Sequence, residues 1–478
     1  MKAICQLLVY TILLTSGYSQ SGNKDYSEVF KLVEVWLEAQ KDYEQLPGLT
    51  GIVIEDQKVI WTGAFGMSDV ENQVQTQTST LFSICSISKL FTSIAIMKLY
   101  DEGKLRLDDR LEDILPTFQL EQKYYGSGPI TIRSLLTHSS GLPREADYPY
   151  WTGPYFPFPG KDQIDAKLGN QETLYPASTY LQYSNLGIVL LGDIIEQVSG
   201  VSYDEYIEKN ILIPLGLTNT RTEMPEQLYG KELSVGYSAI SRDLKREKVN
   251  FFKANGIAAA AGFSSNVVDL GKFAAWLIRL RDISETEILK SSTLKYMHNV
   301  HWTNPDWKLT WGLGFIVNRS SEGITWVGHD GSCPGYRTTL QIDLKNKRAF
   351  SIMINANGTN PDKYVNGING ILSKMKTTEK VDDQKEIKNL NEYAGHYNTM
   401  PWQSEVYFST WYGNLVRISL PSEKPETTMT FYKHIEGDTF RRIRDDDELG
   451  ETLVFERDAN NKIIHYKSHS NYSTKINK

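Results

Sequence analysis

The chain has 478 residues, of which 40% are hydrophobic and 23% charged, a composition typical of a globular protein large enough for two domains. Its formal net charge of −7 and its lack of basic runs argue against a nucleic-acid partner.

The N-terminus has the pattern of a cleaved secretory signal. Lys2 precedes an apolar segment at 3–14, and the small residues Gly17 and Ser19 follow at the spacing that a signal peptidase requires. The segment is short for a membrane span, so an uncleaved anchor is the weaker interpretation. We expect residues 1–19 to be a signal peptide, the protein to be exported to the periplasm or secreted, and the mature chain to have no stable membrane span.

Helical and strand patterns then alternate along the chain. The spacing of apolar residues predicts helices over 27–45, from Ser86 to Gly103, over 184–200 and over 258–280, the last with Ser264 and Ser265 as a possible cap. Two strands are predicted around a turn at Asp56-Gln57, and two more around Lys345-Asn346-Lys347.

Residues 146–162 are rich in aromatic residues, proline and glycine, so they predict an irregular loop. A loop of this length and composition is a lid, a wall of a binding site, or a segment packed on its own domain.

The composition changes near residue 374. Residues 377–387 are polar and charged and predict a linker, and short alternating runs with turn signals about every ten residues follow it. The sequence therefore predicts a catalytic domain at 20–376 and a small all-β domain at 388–478, which we expect to be released as a folded fragment by proteolysis at the linker.

Ser86 and Lys89 stand at the head of an apolar helix, three residues apart, and therefore on one face. A helix N-terminus favours negative charge near Ser86, and a lysine among apolar residues loses its proton more easily and can serve as a base. The same spacing occurs elsewhere in the chain, so the pattern is informative only in its setting; the other pairs are Ser21/Lys24, Ser292/Lys295 and Ser373/Lys376.

Two further motifs carry groups suited to the same chemistry. Tyr183 beside ammonium groups would be deprotonated more easily, and Asn185 could donate to a substrate carbonyl and accept from a lysine. His329 and Gly331 form the only His-x-Gly in the chain, and the glycine would let a substrate backbone come close. The amide of the next residue, Ser332, could pair with the Ser86 amide as an oxyanion hole.

In this order, the motifs Ser86-x-x-Lys89, Tyr183-x-Asn185 and His329-x-Gly331 resemble those of the serine β-lactamase and penicillin-recognising hydrolase family, in the branch of class C β-lactamases, D,D-peptidases and related esterases. The likeness extends over about residues 30–375, including "TIRSLLTHSSGLP", "WGLGF" and "GHDGSCPGYRT". His138 in the first of these stretches is expected to be structural.

The resemblance implies an α/β protein: a β-lactamase/transpeptidase-like α/β/α sandwich plus an all-α lobe, followed by a small all-β domain that resembles a lipocalin-like barrel. It also implies an acyl-enzyme on Ser86, base catalysis shared by Lys89 and Tyr183, an oxyanion hole of the Ser86 and Ser332 amides, and substrate contacts from Asn185 and Gly331. The family carries no metal, and we expect neither a metal nor another cofactor.

The third motif departs from β-lactamases, where a lysine suited to a substrate carboxylate usually replaces His329. We therefore expect an exported serine hydrolase acting on an amide or ester, such as a D-amino-acid peptide, an ester or a β-lactam. The expected partner is a small-molecule or peptide substrate. The alternatives are a binding protein without turnover and a transpeptidase.

Cys85 and Cys333 remain after loss of the signal, and both flank motif residues. Some serine carbapenemases resemble this pattern and join the equivalent cysteines. The resemblance and the oxidising destination therefore predict a Cys85–Cys333 disulfide, the alternative being two separate buried thiols.

Overall fold

The computed structural model describes residues 24–375, 389–398 and 404–478. The predicted signal peptide at 1–19 and the predicted linker at 377–387 lie outside these ranges. Among the described residues, no single helix is long and apolar enough to cross a membrane, although the bent pair Asn185–Ser199 and Tyr203–Leu215 passes the same test of length and composition.

An antiparallel sheet organises the part of the chain before residue 376. Its strands and those of a separate two-stranded sheet are β1 (Gly48–Glu55), β2 (Lys58–Asp69), β3 (Val74–Gln75), β4 (Phe82–Ser83), β5 (Ser264–Ser265), β6 (Trp302–Thr303), β7 (Thr310–Trp311), β8 (Ile316–Arg319), β9 (Thr325–Cys333), β10 (Tyr336–Asp343) and β11 (Arg348–Ile354). The main sheet has the order β3-β2-β1-β11-β10-β9-β8-β7-β6, and β4 pairs with β5. The hairpins predicted at Asp56-Gln57 and at 345–347 are confirmed.

Helices lie on both faces of this sheet, and the described residues form thirteen α-helices in all. They are α1 (Ser27–Tyr43), α2 (Ser88–Asp101), α3 (Leu111–Ile114), α4 (Ile132–Leu136), α5 (Lys161–Leu168), α6 (Asn185–Ser199), α7 (Tyr203–Ile207), α8 (Ile213–Leu215), α9 (Ala258–Ala261), α10 (Val267–Asp282), α11 (Ser291–Met297), α12 (Asp362–Ser373) and the short α13 (Pro425–Thr428). The predicted helices that begin near residues 27, 86 and 184 are confirmed as α1, α2 and α6.

Alternate residues of the central strands point to opposite faces of the sheet. Both faces are buried because helices pack on each of them. On β1, Leu49 and Val53 join the apolar cluster of α1 and α12, whereas Ile52 and Ile54 join the cluster of α2, α6 and α10. Helices α2, α6 and α9 pack on one another as an all-α lobe. The predicted α/β/α sandwich with a helical lobe is therefore confirmed.

The segment predicted as one helix over 258–280 is two helices with a strand between them. α9 ends at Ala261, and Ser264–Ser265 form β5 because they pair with Phe82–Ser83, the strand that leads to Ser86. The cap of α10 is Asn266, whose side chain accepts from the amide of Asp269 at 2.9 Å. The prediction of Ser264 and Ser265 as the cap was wrong, and their pairing fixes the approach to the nucleophile segment.

The C-terminal residues form a closed eight-stranded barrel in which each strand pairs with the next and the last pairs with the first. Its strands are β12 (Gly395–Asn398), β13 (Glu405–Trp411), β14 (Asn414–Leu420), β15 (Thr430–Glu436), β16 (Thr439–Ile443), β17 (Leu449–Arg457), β18 (Ile463–Ser468) and β19 (Asn471–Ile476). The predicted small β-barrel is confirmed.

The barrel shares an apolar cluster with α1 and α12, to which Trp411 and Ile418 contribute from its outer surface. The indole Nε1 of Trp36 on α1 donates to the carbonyl of Ser422 at 2.8 Å, and the amide of Ser422 donates to Gln40 Oε1 at 3.1 Å. The barrel is therefore packed against the catalytic part of the chain, on the α1 side of the sheet, rather than attached by the connecting segment alone.

Candidate active site

Ser86 lies in a 3₁₀ turn, Cys85–Ile87, which runs directly into α2. From Thr80 to Met97 every residue is buried except Ser86, which is partly exposed. The turn is sharp because Cys85 adopts a left-handed backbone conformation with φ of 50°. Such a conformation costs a residue with a Cβ on the order of 1–3 kcal/mol. The fold therefore holds a strained turn that presents one hydroxyl at the surface of an otherwise closed core.

Lys89 lies one turn further along the chain, and its Nζ is 3.1 Å from Ser86 Oγ and 2.8 Å from the carbonyl oxygen of Ala260. The side chain is fully buried, and within the described residues it forms no ion pair. Burial lowers its pKa from 10.5 to about 7 because the charged form loses its hydration. A large fraction of Lys89 is therefore a neutral amine at neutral pH.

Tyr183 is the second side chain that contacts Ser86, and its hydroxyl is 3.0 Å from Ser86 Oγ. Lys89 Nζ stands 4.9 Å from the centre of its ring. Burial nevertheless raises the pKa of Tyr183 above its ordinary value, because desolvation outweighs the neighbouring positive charges. The expectation of an easily deprotonated tyrosine was wrong: the hydroxyl keeps its proton and donates to Ser86.

Asn185 begins α6, and its amide nitrogen is engaged by the carboxylate of Glu145. Nδ2 donates to both carboxylate oxygens of Glu145, at 2.8 and 2.9 Å. Its Oδ1 is buried and has no hydrogen-bond partner among the described residues, so the expected contact with a lysine is absent there. Asn185 therefore positions Glu145 and the start of α6.

Arg144 and Glu145 were not predicted, yet they lie beside Tyr183 and Asn185. The guanidinium of Arg144 lies 4.8 Å from the centre of the Tyr183 ring, and its Nε is 3.1 Å from Glu145 Oε1. The Arg144 side chain is 59% exposed, whereas that of Lys89 is fully buried. The sequence offers one sign of their role, namely that the two charged residues directly precede the aromatic loop at 146–162.

The aromatic loop at 146–162 packs on its own domain. Tyr150 is fully buried and donates to Glu145, and Trp151 Nε1 donates to the same carboxylate at 3.0 Å. The ring of Phe158 stacks on Phe252 with centroids 5.2 Å apart. Of the three interpretations, packing on the domain is therefore the one observed, and the loop also fixes Glu145.

His329 lies on β9, and its ring is near that of Tyr183. Its Nδ1 contacts the carbonyl of Asp330 at 2.6 Å. Nε2 is buried without a hydrogen-bond partner among the described residues. Burial and the neighbouring Lys89 lower the pKa of His329 to about 3. The imidazole is therefore neutral and gives this position no positive charge.

His138 supports the site as expected. It accepts from the amide of Ser184 at 3.2 Å, and its ring centroid is 4.4 Å from that of Tyr183 and 4.8 Å from that of Trp311. The rings of Trp311 and His329 complete this wall around Tyr183.

Gly331 allows close packing of β9 against the turn that carries Ser86. A Cβ at this position would lie 2.4 Å from the carbonyl oxygen of Ile84 and 2.1 Å from Thr338 Oγ1. Thr338 in turn donates to the Ile84 carbonyl at 3.2 Å. The absent side chain lets β9 and β10 lie directly on the turn that carries Ser86, with exposed Ser332 next along β9.

Cys85 and Cys333 are both buried and both free thiols, so the predicted disulfide is not formed. Cys85 Sγ contacts the hydroxyl of Ser83 at 3.6 Å and its carbonyl at 3.7 Å. Burial and the adjacent Cys333 thiol raise the pKa of Cys85 well above its usual value. Formation of the thiolate that exchange requires is therefore disfavoured.

Within the described ranges, no group of three or more His, Cys, Asp or Glu side chains has the arrangement of a metal site. The polar side chains within hydrogen-bond distance of Ser86 Oγ are a lysine and a tyrosine. Their arrangement suits nucleophilic attack by a serine whose proton passes to a neighbouring amine.

Comparisons with known proteins agree with this geometry. A family model described as Beta-lactamase matches residues 34–372. A putative D-alanyl-D-alanine carboxypeptidase of Escherichia coli K12 is 26% identical over 339 residues, which cover 65% of this chain and 76% of the relative.

Two solved structures resemble the fold. The octameric penicillin-binding protein homologue from Pyrococcus abyssi has a TM-score of 0.64 at 25% identity, covering 94% of this chain and all of its own. A D-stereospecific amidohydrolase from Streptomyces has a TM-score of 0.56 at 25% identity, covering 72% of this chain and 97% of its own.

Proposed function

Because the chain belongs to the beta-lactamase family and is a serine hydrolase of that family, we propose that it cleaves D-amino-acid peptides or amides through an acyl-enzyme on Ser86. One observation carries the proposal: Lys89 Nζ and the Tyr183 hydroxyl meet at Ser86 Oγ, at 3.1 and 3.0 Å.

The two neighbours of Ser86 have different roles in this mechanism. Neutral Lys89 takes the proton of Ser86 as Oγ attacks the substrate carbonyl, because its pKa of about 7 suits a base at neutral pH. Tyr183 is protonated while Ser86 attacks. It then gives its proton to the leaving nitrogen and regains one from the protonated Lys89. The amides of Ser86 and Ser332 hold the oxyanion, and water then releases the acyl group.

The substrate class follows from the charges around the site. His329 is neutral, so it does not take the carboxylate that a lysine in its position would bind. Arg144 supplies an exposed guanidinium beside Tyr183, and within the described residues its terminal nitrogens make no hydrogen bond. Arginine binds a carboxylate through two parallel hydrogen bonds. We therefore assign Arg144 to the free carboxylate of a peptide that ends in a D-amino acid.

We also propose that residues 1–19 direct export to the periplasm or the medium, since they carry the signal pattern described above. N-terminal sequencing of the mature protein tests this directly. A mature chain that still begins at Met1 would reject it.

The function is tested with a panel of D-Ala-D-Ala peptides, D-amino-acid amides, esters and nitrocefin. We expect hydrolysis of the D-amino-acid compounds to exceed that of nitrocefin and to disappear in Ser86→Ala. A fluorophosphonate probe should label Ser86 alone, and Ser292→Ala, which changes another serine of a Ser-x-x-Lys pair, should leave activity and labelling intact.

The panel also separates the alternatives. Stable acylation without product release would indicate a binding protein, and products formed only when an amine acceptor is added would indicate a transpeptidase. Either outcome would overturn the proposed hydrolysis.

A further inference from the structure

The interior of the C-terminal barrel is divided along its axis into an aromatic half and a polar half. Phe408, Phe440 and Phe455 pack edge to face in the first half, with ring centroids 5.4 to 5.6 Å apart. Tyr397 closes the cluster against Phe408 at 5.4 Å. This half of the barrel is filled by side chains.

Strand alternation places charged residues in the other half. Side chains two residues apart on a strand point to the same face. Leu415 and Phe440 belong to the inner cluster, so Arg417 and Arg442, two residues further on, also point inward. Glu451 lies at an irregularity in the pairing of β16 with β17, beside Thr452, and both residues border the same end of the barrel.

These residues line a cavity of about 320 Å³ at this end of the barrel. An eight-stranded barrel has room either for its own side chains or for one small ligand, and a cavity of this size is at the lower end of small-molecule sites. The lining combines the two arginines with aromatic rings and hydroxyl groups from Thr430, Tyr432, Thr452, Tyr466, Ser468 and Ser473.

The arginines carry unused hydrogen-bond donors. The Nε atoms of Arg417 and Arg442 are both buried and have no hydrogen-bond partner among the described residues. A buried polar group without a partner costs free energy, because it has lost its hydrogen bonds to water without replacing them. A ligand that accepts hydrogen bonds from these two nitrogens would therefore bind favourably, because it would satisfy buried donors that surface water does not reach.

The charges favour an anion. Glu451 Oε2 lies 3.6 Å from Arg442 Nη1 and offsets one of the two guanidinium groups, while Arg417 has no carboxylate within ion-pair distance among the described residues. The Tyr432 and Tyr466 rings are largely buried beneath these groups and offer apolar surface. A planar carboxylate on a small organic group matches both features.

We propose that the polar end of the barrel binds a small organic carboxylate, of the size of an amino acid or a dipeptide, through Arg417 and Arg442. This site is separate from Ser86 and does not depend on the proposed function. None of the residues that line it belongs to the catalytic motifs.

Binding to the full chain is measured by calorimetry with sodium benzoate and N-acetyl-D-alanine as probes, and with benzamide and inorganic phosphate as comparators. We expect saturable binding of both carboxylates and none of benzamide. Binding of phosphate but not of the carboxylates would overturn the assignment, because it would identify an inorganic-anion site.

Three variants locate the site. Arg417→Gln and Arg442→Gln should each weaken carboxylate binding at least tenfold, since each removes a charge-assisted hydrogen bond. Arg444→Gln is the matched control, because Arg444 is exposed at the same end of the barrel and does not line the cavity. Circular dichroism establishes that each variant is folded, and Arg417→Lys gives a second test if Arg417→Gln unfolds.

A carboxylate could also bind beside Ser86, so the same titration is repeated on Arg144→Ala. If binding is lost in Arg144→Ala and kept in the two barrel variants, the probe occupies the active site and the proposal is wrong. Absence of saturable binding at millimolar concentrations would equally overturn it.

Discussion

Lys89 Nζ lies 3.1 Å from Ser86 Oγ, in a fully buried position from which every described carboxylate is beyond ion-pair distance. A lysine in such surroundings serves as a base because the environment penalises its charge. The loss of hydration that disfavours the charged form of Lys89 also lowers the free energy of unfolding of the protein. One side chain therefore couples the chemistry at Ser86 to the stability of the protein.

The pH dependence of kcat/KM should report Lys89. Its pKa is about 7 in the folded protein, and only the neutral amine accepts the proton of Ser86. We expect kcat/KM to rise about tenfold per pH unit below this value and to level off above it. Tyr183→Phe should lower the rate without moving the midpoint, since Tyr183 is protonated throughout this range. A profile that is flat from pH 5 to 8 would contradict the assignment.

Replacing Lys89 by methionine should stabilise the fold while it abolishes activity. The pKa of Lys89 falls from 10.5 in the unfolded chain to about 7 in the folded one, so the unfolded state binds more protons between these values. Wild-type stability therefore rises with pH across this window, and below pH 7 the lysine costs several kcal/mol, at about 1.4 kcal/mol per pKa unit.

The stabilisation by Lys89→Met should thus be largest below pH 7 and fade towards pH 10.5, as measured by urea unfolding. Lys98→Met on the same helix, where the lysine is partly exposed and paired with Glu102, is the control and should show little pH dependence. An equal stabilisation at all pH values would refute the electrostatic explanation.

Gly331→Ala should damage both the site and the fold. The added Cβ would come within 2.4 Å of the Ile84 carbonyl, so β9 or the Ser86 turn has to move. We expect kcat/KM to fall about a hundredfold, as a displacement of about 1 Å can cause, and stability to fall by about 1–3 kcal/mol. Gly128→Ala, in open space with an ordinary φ, should change neither. Unchanged kinetics in Gly331→Ala would show that this contact does not position Ser86.

Arg144→Ala should discriminate between peptides by their C-terminus. For a peptide ending in a free D-carboxylate we expect KM to rise at least tenfold, and for the matching carboxamide to change little, with Arg144→Lys intermediate. The assay is run at pH 9, because Arg144 also influences Lys89, which is mostly neutral at that pH. Arg110→Ala, of similar side-chain exposure, is the control. An equal rise for both peptides would refute carboxylate recognition.

The packing of the barrel on α1 reverses the release expected from the sequence: the barrel should remain bound after the chain is cut within 377–387. A site-specific protease sequence inserted there would yield two fragments that co-elute in gel filtration, because the shared cluster and the Trp36–Ser422 hydrogen bond persist. Trp36→Ala should let the fragments separate, and Trp307→Ala, at a 72% exposed position, should not. Separation of the wild-type fragments in native buffer would contradict the observed packing.

The three motifs could be predicted because each is local and each role depends on residue type. Ser86 and Lys89 are one helical turn apart, and the apolar run that follows them predicts the burial on which the chemistry depends. The sandwich and the helical lobe were implied by the resemblance, whereas the barrel was also indicated by short alternating runs with regular turn signals.

The remaining features depend on distances that no local pattern contains. Glu145 meets Asn185 across 40 residues of sequence, so the partner of the asparagine could not be read from the motif. The function of Gly331 depends on the carbonyl of Ile84, far away in sequence. Burial reversed the expectation for Tyr183, because the sequence shows its charged neighbours but not their desolvation.

The packing of the barrel on α1 sets an order for biosynthesis. Trp36 leaves the ribosome 386 residues before Ser422, the residue that accepts its indole hydrogen bond. Before Ser422 has been synthesised and the barrel has folded, the apolar face of α1 that contacts β13 and β14 remains exposed. A chain that stops before the barrel would carry this face to the end of its synthesis, and exposed apolar surface of that kind promotes aggregation of incomplete chains. Premature termination between Ser332 and the barrel would therefore favour aggregation even though every motif around Ser86 had been made.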